Sequence, residues 1–352
     1  MRVTATAGAV ATSGATGFPV EAADSYFRSQ LPALGPLRDT RKFAVGQSNP
    51  TYLLTTDTGR YVLRAKPVGR LLPSAHAVER EFRVLGALHG SPVPVPRPIH
   101  LCTDDTILGS VFYVMEYVPG QVYLDPTMPG ADVTLRRAVY AGAASVLAAL
   151  GRIDPVAVGL GDYGRPGGYF ERQVRRWTKQ YRATETECRP DMEELIAWLP
   201  LHLPPDTGVA RIVHGDFRLD NLVVGEHGEV LAVLDWELST LGHPYADLAY
   251  QCAQWRLPAG EMHGLKGVKR EALGLPGEDE YVAAYCKSLG LARIEHWNTY
   301  LAVSLFRLAA IYQGVYRRGL DGNASSAEAT GFGRKTDIIA AHAVEIIASV
   351  RD

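Results

Sequence analysis

The stretch KFAVGQSNPTYLLTTDTGRYVLRAKP, Lys42 to Pro67, restricts the fold more than any other part of the chain. Apolar and polar residues alternate around two turn clusters, Gly-Gln-Ser-Asn-Pro and Thr-Asp-Thr-Gly, and a period of two suits half-buried strands rather than a helix. Three strands in a meander are the expectation. An amphipathic helix, VEAADSYFRSQL, precedes them. After them SAHAVEREFRVLGALHG sets Val78, Phe82, Leu85 and Leu88 on one helical face, with Ser74 as N-cap and a stop near Gly90. The prolines of SPVPVPRPIHL lead into a further strand, and SVFYVMEYVPG is another that stops at Pro-Gly. The order is strand, strand, strand, helix, strand, strand.

From Leu135 the character changes. TLRRAVYAGAASVLAALGRI is a long alanine-rich helix, and further helices are expected near 279–289, 295–318 and 335–350. A chain of 352 residues has volume for two lobes. The expectation is an α+β protein with a disordered tail at 1–20, a small β-rich N-lobe at 21–118 and a larger, mostly helical C-lobe at 119–352. A formal net charge of -2, without a basic stripe, disfavours nucleic acid and membrane surfaces as partners and leaves small molecules. No run of about 18 apolar residues marks a membrane span. The first residues lack the charge and apolar core of a signal peptide. Cys102, Cys188, Cys252 and Cys286 are too scattered for a zinc cluster or a disulfide framework, so a reducing, cytoplasmic setting is expected. The oligomeric state is not legible.

Within the helical part only RIVHGDFRLDNLVV and EVLAVLDWEL read as strand, joined by a turn at Gly225 to Gly228. The first is interrupted by His214, Asp216, Arg218, Asp220 and Asn221, and Asp235 ends the second. Phosphoryl transfer from a nucleotide needs a divalent cation held by a carboxylate and often an amide oxygen, with a second carboxylate to accept the proton of the attacking hydroxyl. Asp216, Asn221 and Asp235 supply these parts. Hard oxygen ligands without His or Cys favour Mg2+ over zinc.

The pattern H-G-D-x-x-x-x-N followed by apolar-apolar-D-W-E resembles the aminoglycoside phosphotransferase and choline kinase family, relatives of protein kinases, whose own pattern is H-R-D-x-x-x-x-N followed by D-F-G. HGDFRLDN, LDWELSTLGHPYADLA, GQSNPTYLL and YVLRAKPVGRLLPSAHAVEREFRVL are closer still to the kinase-like domain fused to acyl-CoA dehydrogenases and to its free-standing bacterial relatives. The resemblance covers about residues 35 to 345 and rests on several motifs in the right order. It implies a bilobal protein-kinase-like fold, ATP and Mg2+. Asp216 becomes the catalytic base, Asn221 and Asp235 the metal ligands, His214 a brace of the loop and Asp247 the residue that ties the loop together. Arg218 and Asp220 stay unassigned, and Glu237 is open between metal binding and simple exposure. In the N-lobe Gly46, Gln47, Ser48 and Asn49 form the loop over the phosphates. Arg64, with Lys66 as the alternative, is the cation on the α- and β-phosphates, a departure from the usual lysine that keeps the charge. Glu81 is its ion-pair partner. Met115 backs the adenine pocket, and Glu116 to Val118 meet the edge of the base.

The acceptor is less legible. After Asp247 the chain mixes Trp255, Arg256, Lys266, Lys269, Arg270, Trp297, Tyr300, Phe306, Arg307 and Tyr312, which is not the acidic surface a polycationic antibiotic needs. The expectation is ATP- and Mg-dependent phosphorylation of a small-molecule hydroxyl, on a hydroxyacyl thioester or hydroxy acid. An aminoglycoside kinase and a pseudokinase without turnover are the alternatives.

Overall fold

The computed structural model describes residues 18–43, 49–67, 77–323 and 327–351. Contact density divides the chain into two compact units: the described residues of Met1–Val146 with Val158–Leu160 and Arg218–Ser239, and then Leu147–Ala157, Gly161–Phe217 and Thr240–Asp352. These units are not the consecutive stretches that a single cut near 118 makes, because the segment carrying Asn221 and Asp235 packs with the N-terminal sheet.

The first unit opens with helix α1 (Val20–Gln30), then strands β1 (Leu37–Lys42), β2 (Thr51–Thr56) and β3 (Arg60–Ala65), helix α2 (Val78–Leu88), and strands β4 (Pro98–Cys102) and β5 (Phe112–Glu116). This is the element order expected from periodicity. The strands form one antiparallel sheet in the order β1-β2-β3-β5-β4. Ala23 and Phe27 of α1 share a core with Leu54, Leu63, Phe112 and Val114, which removes one face of the sheet from water. Phe18, inside the stretch read as tail, belongs to that packing, with its ring 4.7 Å from that of Tyr52.

Helix α3 (Val133–Arg152) runs from the first unit into the second. It is the one described helix long and apolar enough to cross a membrane, and half of its most apolar window is buried, as in the core helix of a folded domain. The second unit holds α4 (Tyr169–Thr184), α5 (Pro190–His202) and strand β6 (Arg211–Val213). Strands β7 (Leu222–Val224) and β8 (Val230–Val233) return to the first unit. Strand β9 (Thr240–Gly242) and helices α6 (Ala246–Arg256), α7 (Arg270–Leu273), α8 (Glu278–Leu289), α9 (Trp297–Leu320) and α10 (Phe332–Arg351) complete the second. α9 packs against α4, α6 and α10.

One expectation is corrected here. RIV and LVV are not one strand: β6 pairs with β9, a strand not foreseen in the sequence, while β7 pairs with β8. The reason is the 3-10 turn at Leu219–Asn221, which breaks the extended run between the two ladders.

Candidate active site

In the first unit, helix α2 presents Val78, Glu81, Val84, Leu85 and Leu88 to the interior. Glu81 therefore holds a core position, 2% exposed, and a carboxylate there requires a partner. Arg64 on β3 supplies it, with Nε 2.9 Å from Oε2 of Glu81. The contact is an ion pair rather than an aligned hydrogen bond, since both atoms are buried without a hydrogen-bond partner. Arg64 also pairs through Nη2 with Asp235, and lies 3.5 Å from Oε2 of Glu237. One guanidinium thus faces three carboxylates. Burial dominates at Glu81 and pushes its carboxyl up to about 7, against the opposing pull of Arg64. Tyr113 on β5, opposite Arg64 in the ladder, is fully buried, and burial together with Glu81 holds its hydroxyl well above the usual range.

Strands β7 and β8 deliver the other polar groups. Leu222 is paired with Val233, so the residues just outside the ladder, Asn221 and Leu234, meet next, and the Leu234 N–H donates to the Asn221 carbonyl at 2.8 Å. Asn221 and Asp235 therefore stand at the same end of one hairpin. Asp235 has φ +64°, a left-handed conformation that a non-glycine residue adopts only under local constraint. Here Trp236, fully buried, opens the following 3-10 turn and donates its indole N–H to Val233 at 2.9 Å.

These residues border one cavity of about 210 Å³. Val62, Leu85, Met115, Val118 and Val233 give it apolar walls, and Arg64, Glu81, Asp220, Asn221 and Asp235 its charged and amide lining. Of the residues expected at a nucleotide, Arg64, Glu81, Met115, Glu116 and Val118 all line it. Lys66 does not: it pairs with Glu79 at 2.5 Å, just beyond the end of β3. Asn49 is buried and its amide donates to Oε2 of Glu237 at 3.1 Å, so its side chain braces the D-W-E segment. Glu237 is thereby partly buried rather than simply exposed. Gly46, Gln47, Ser48 and the expected N-cap Ser74 lie outside the described residues.

The second unit holds the H-G-D loop. Gly215 has φ +88°, which explains glycine at this point of the motif. Asp247, at the start of α6, accepts the N–H of His214 at 2.6 Å with one carboxylate oxygen and that of Gly215 at 2.8 Å with the other. Burial raises the Asp247 carboxyl, with His214 and these two N–H donors opposing the shift. His214 is fully buried, and its Nδ1 accepts the Asp216 N–H at 3.2 Å. His214 and Asp247 therefore hold the loop, and Asp216 is only partly buried. Arg218 and Asp220, which belong to the first unit, pair with each other at 2.8 Å.

The family model for the phosphotransferase enzyme family matches residues 39–296. The chain belongs to that family. Among relatives of this phosphotransferase, mouse acyl-CoA dehydrogenase family member 10 is 48% identical over 327 residues, 92% of this chain and 30% of the relative. The chain thus spans about a third of that protein. A solved Ralstonia eutropha structure, described as a candidate aminoglycoside phosphotransferase, is 44% identical with a TM-score of 0.86, covering 94% of this chain and 99% of the other. The aminoglycoside phosphotransferase APH(4)-Ia, in a ternary complex with ADP and hygromycin B, shares the fold at 16% identity and TM-score 0.60, over 90% and 98% of the two chains.

Two features of the phosphotransferase were not legible beforehand. Tyr113 gave no signal, being one more aromatic in an apolar strand. Several aromatic and basic residues marked for the acceptor are structural instead: Trp255, Tyr300 and Phe306 are core, and Arg256 and Trp297 both bind Glu278.

Proposed function

We propose that this phosphotransferase moves the γ-phosphoryl group of ATP to a hydroxyl of a small molecule, and that the acceptor is a hydroxy acid or its acyl thioester. The observation that carries the first part is the cavity of the first unit, where Arg64, fixed by Glu81, stands with Asn221 and Asp235 beside apolar walls. The walls suit a purine ring and the guanidinium suits phosphate oxygens. APH(4)-Ia, which has the same fold, holds ADP.

The donor set fits Mg2+. Among the described residues no cluster of three or more His, Cys, Asp or Glu side chains forms a closed metal site. One carboxylate and one amide oxygen at a hairpin end are what a magnesium ion completed by substrate phosphates requires. When bound there by Asn221 and Asp235, the ion would offset the phosphate charge that builds up in transfer. Asp216 accepts the proton of the acceptor hydroxyl as its oxygen bonds to the γ-phosphorus, and the bond from that phosphorus to the bridging oxygen breaks to release ADP. Asp247 and His214 keep the Asp216 backbone in place.

The acceptor class is supported by the relative in which a segment like this chain is joined to an acyl-CoA dehydrogenase, an enzyme of acyl thioesters. The test is ADP release from Mg-ATP over a panel of hydroxy acids, hydroxyacyl thioesters and aminoglycosides, run against Asp216→Asn. Turnover of the first two classes, lost in Asp216→Asn with nucleotide binding kept, is expected. Turnover of aminoglycosides alone would replace the acceptor reading, and binding without turnover on any compound would leave a nucleotide-binding module.

A further inference from the structure

Arg307, a residue of the expected acceptor set, reaches the H-G-D loop. It projects from α9, where its neighbours Leu305, Phe306, Ala309 and Ala310 are core. Its Nη2 donates to the Gly215 carbonyl at 2.5 Å. The guanidinium lies over two rings, Tyr250 of α6 at 4.8 Å and Trp177 of α4 at 5.7 Å from the centroids. Its Nε is buried without a hydrogen-bond partner, and no ion pair ties it to a carboxylate among the described residues. Arg307 itself is partly buried, and leucine or methionine would fill its position without a charge to desolvate. What the guanidinium gains is one carbonyl, two ring faces and the nearby Asp247 carboxylate, whose charge it favours.

That carbonyl belongs to the peptide joining Gly215 to Asp216. A peptide unit is planar, so fixing its oxygen and its N–H fixes the direction in which the next Cα is carried. Arg307 takes the oxygen, and His214 Nδ1 takes the Asp216 N–H at 3.2 Å. Asp247 holds the preceding two N–H groups. A glycine in the left-handed region has little of its own to resist rotation, so the outer contacts must set the plane.

We propose that Arg307 is a positioning residue for phosphoryl transfer: by clamping the Gly215 carbonyl between α4 and α6 it sets the orientation of Asp216. This rests on reading Asp216 as the proton acceptor. Arg307 acts through the loop.

The test uses the full chain with Arg307→Met, Arg307→Lys and Arg307→Ala, and two readouts. Amide hydrogen exchange over residues 213–217 is expected to rise in Arg307→Met and less in Arg307→Lys, with β2 and β3 unchanged. Mg-ATP turnover, measured with water and with the best acceptor of the panel, is expected to lose about a hundredfold in kcat with KM for ATP kept, the scale set by a misplaced catalytic group. Added guanidinium should restore kcat to Arg307→Ala but not to Asp216→Asn. Unchanged loop exchange, or wild-type kcat in a folded Arg307→Met, overturns the proposal; if Arg307→Met does not fold, Arg307→Lys decides by the same two measures. Absence of wild-type turnover with every acceptor would sink the transfer reading instead, while the exchange data would still decide whether Arg307 clamps the loop.

Discussion

Arg64 on β3 and Glu81 on α2 are 2.9 Å apart, with side chains 11% and 2% exposed, and this pair ties the helix to the sheet at the charged side of the cavity. It also fixes Arg64 where Asp235 and Glu237 can reach it. The pair is electrostatically demanding, since burial opposes charge on Glu81 and two further carboxylates compete for the guanidinium.

Removing Glu81 leaves Arg64 buried with more exposed partners. Glu81→Ala is expected to destabilise the first unit by about 3 kcal/mol, the usual cost of breaking a buried pair from one side. ATP affinity should fall with it. Urea unfolding and nucleotide titration check both; a stable variant with unchanged affinity would show that Arg64 is held without Glu81.

Asp235, proposed as a Mg2+ ligand, has a left-handed backbone. Asparagine tolerates positive φ, so Asp235→Asn should keep the fold and lose the Mg2+-dependent part of ATP binding. Asp235→Val should lose stability as well, because a β-branched side chain fits this conformation poorly. Thermal melts alongside calorimetry with and without Mg2+ separate the two effects. Equal melting temperatures for the pair would argue against strain at this position.

Gly215→Ala places a Cβ on a residue with φ +88°. The expected penalty is about 1–2 kcal/mol of strain, and relief by rotating the peptide would misplace Asp216. The predicted signature is a kcat loss larger than the stability loss explains, with ATP binding intact. A variant with normal kcat would mean the loop tolerates another backbone conformation.

His243 gives the pH dependence. It is buried against Phe170, Tyr245 and Tyr300, with ring centroids 4.9 to 5.3 Å away, and its Nδ1 accepts the Tyr245 N–H. Burial lowers it from the usual 6.5 to about 4, with Asp206 opposing. The unfolded chain therefore takes up the proton first as pH falls. The His243 contribution to stability is complete above about 6.5 and declines toward pH 4, by up to about 3 kcal/mol at 1.36 kcal/mol per unit. Glu81, with its carboxyl raised to about 7, contributes in the opposite direction between pH 7 and 4.5, so the His243 part is read by chemical unfolding from pH 7 to 4 as the difference in slope between the wild type and His243→Gln. An equal slope in the variant would assign the acid sensitivity to other groups.

Much of the first unit is legible in sequence because its signals are local. The period of two in Tyr52–Thr56 and Tyr61–Ala65 and the spacing of Val78, Leu85 and Leu88 need no knowledge of distant residues. Glu81 is legible only through the family resemblance, because the spacing alone sets Val78, Phe82, Leu85 and Leu88 on the apolar face and does not mark an acid among them. The choice between Arg64 and Lys66 is harder. Both lie two apart on one side of the chain, and only the end of β3 after Ala65 turns Lys66 toward Glu79.

Local backbone preference and residue chemistry suffice for the order of the elements from α1 to β5 and for the joint presence of Asp216, Asn221 and Asp235. Packing is what pairs β6 with Thr240–Gly242, sets Asn49 on Glu237, demands a positive φ at Gly215 and brings Arg307, out of several basic and aromatic candidates, to the Gly215 carbonyl. These contacts join residues from 27 to 188 positions apart in sequence. No local periodicity encodes them; they depend on how the helices pack and which buried polar groups are left to satisfy one another.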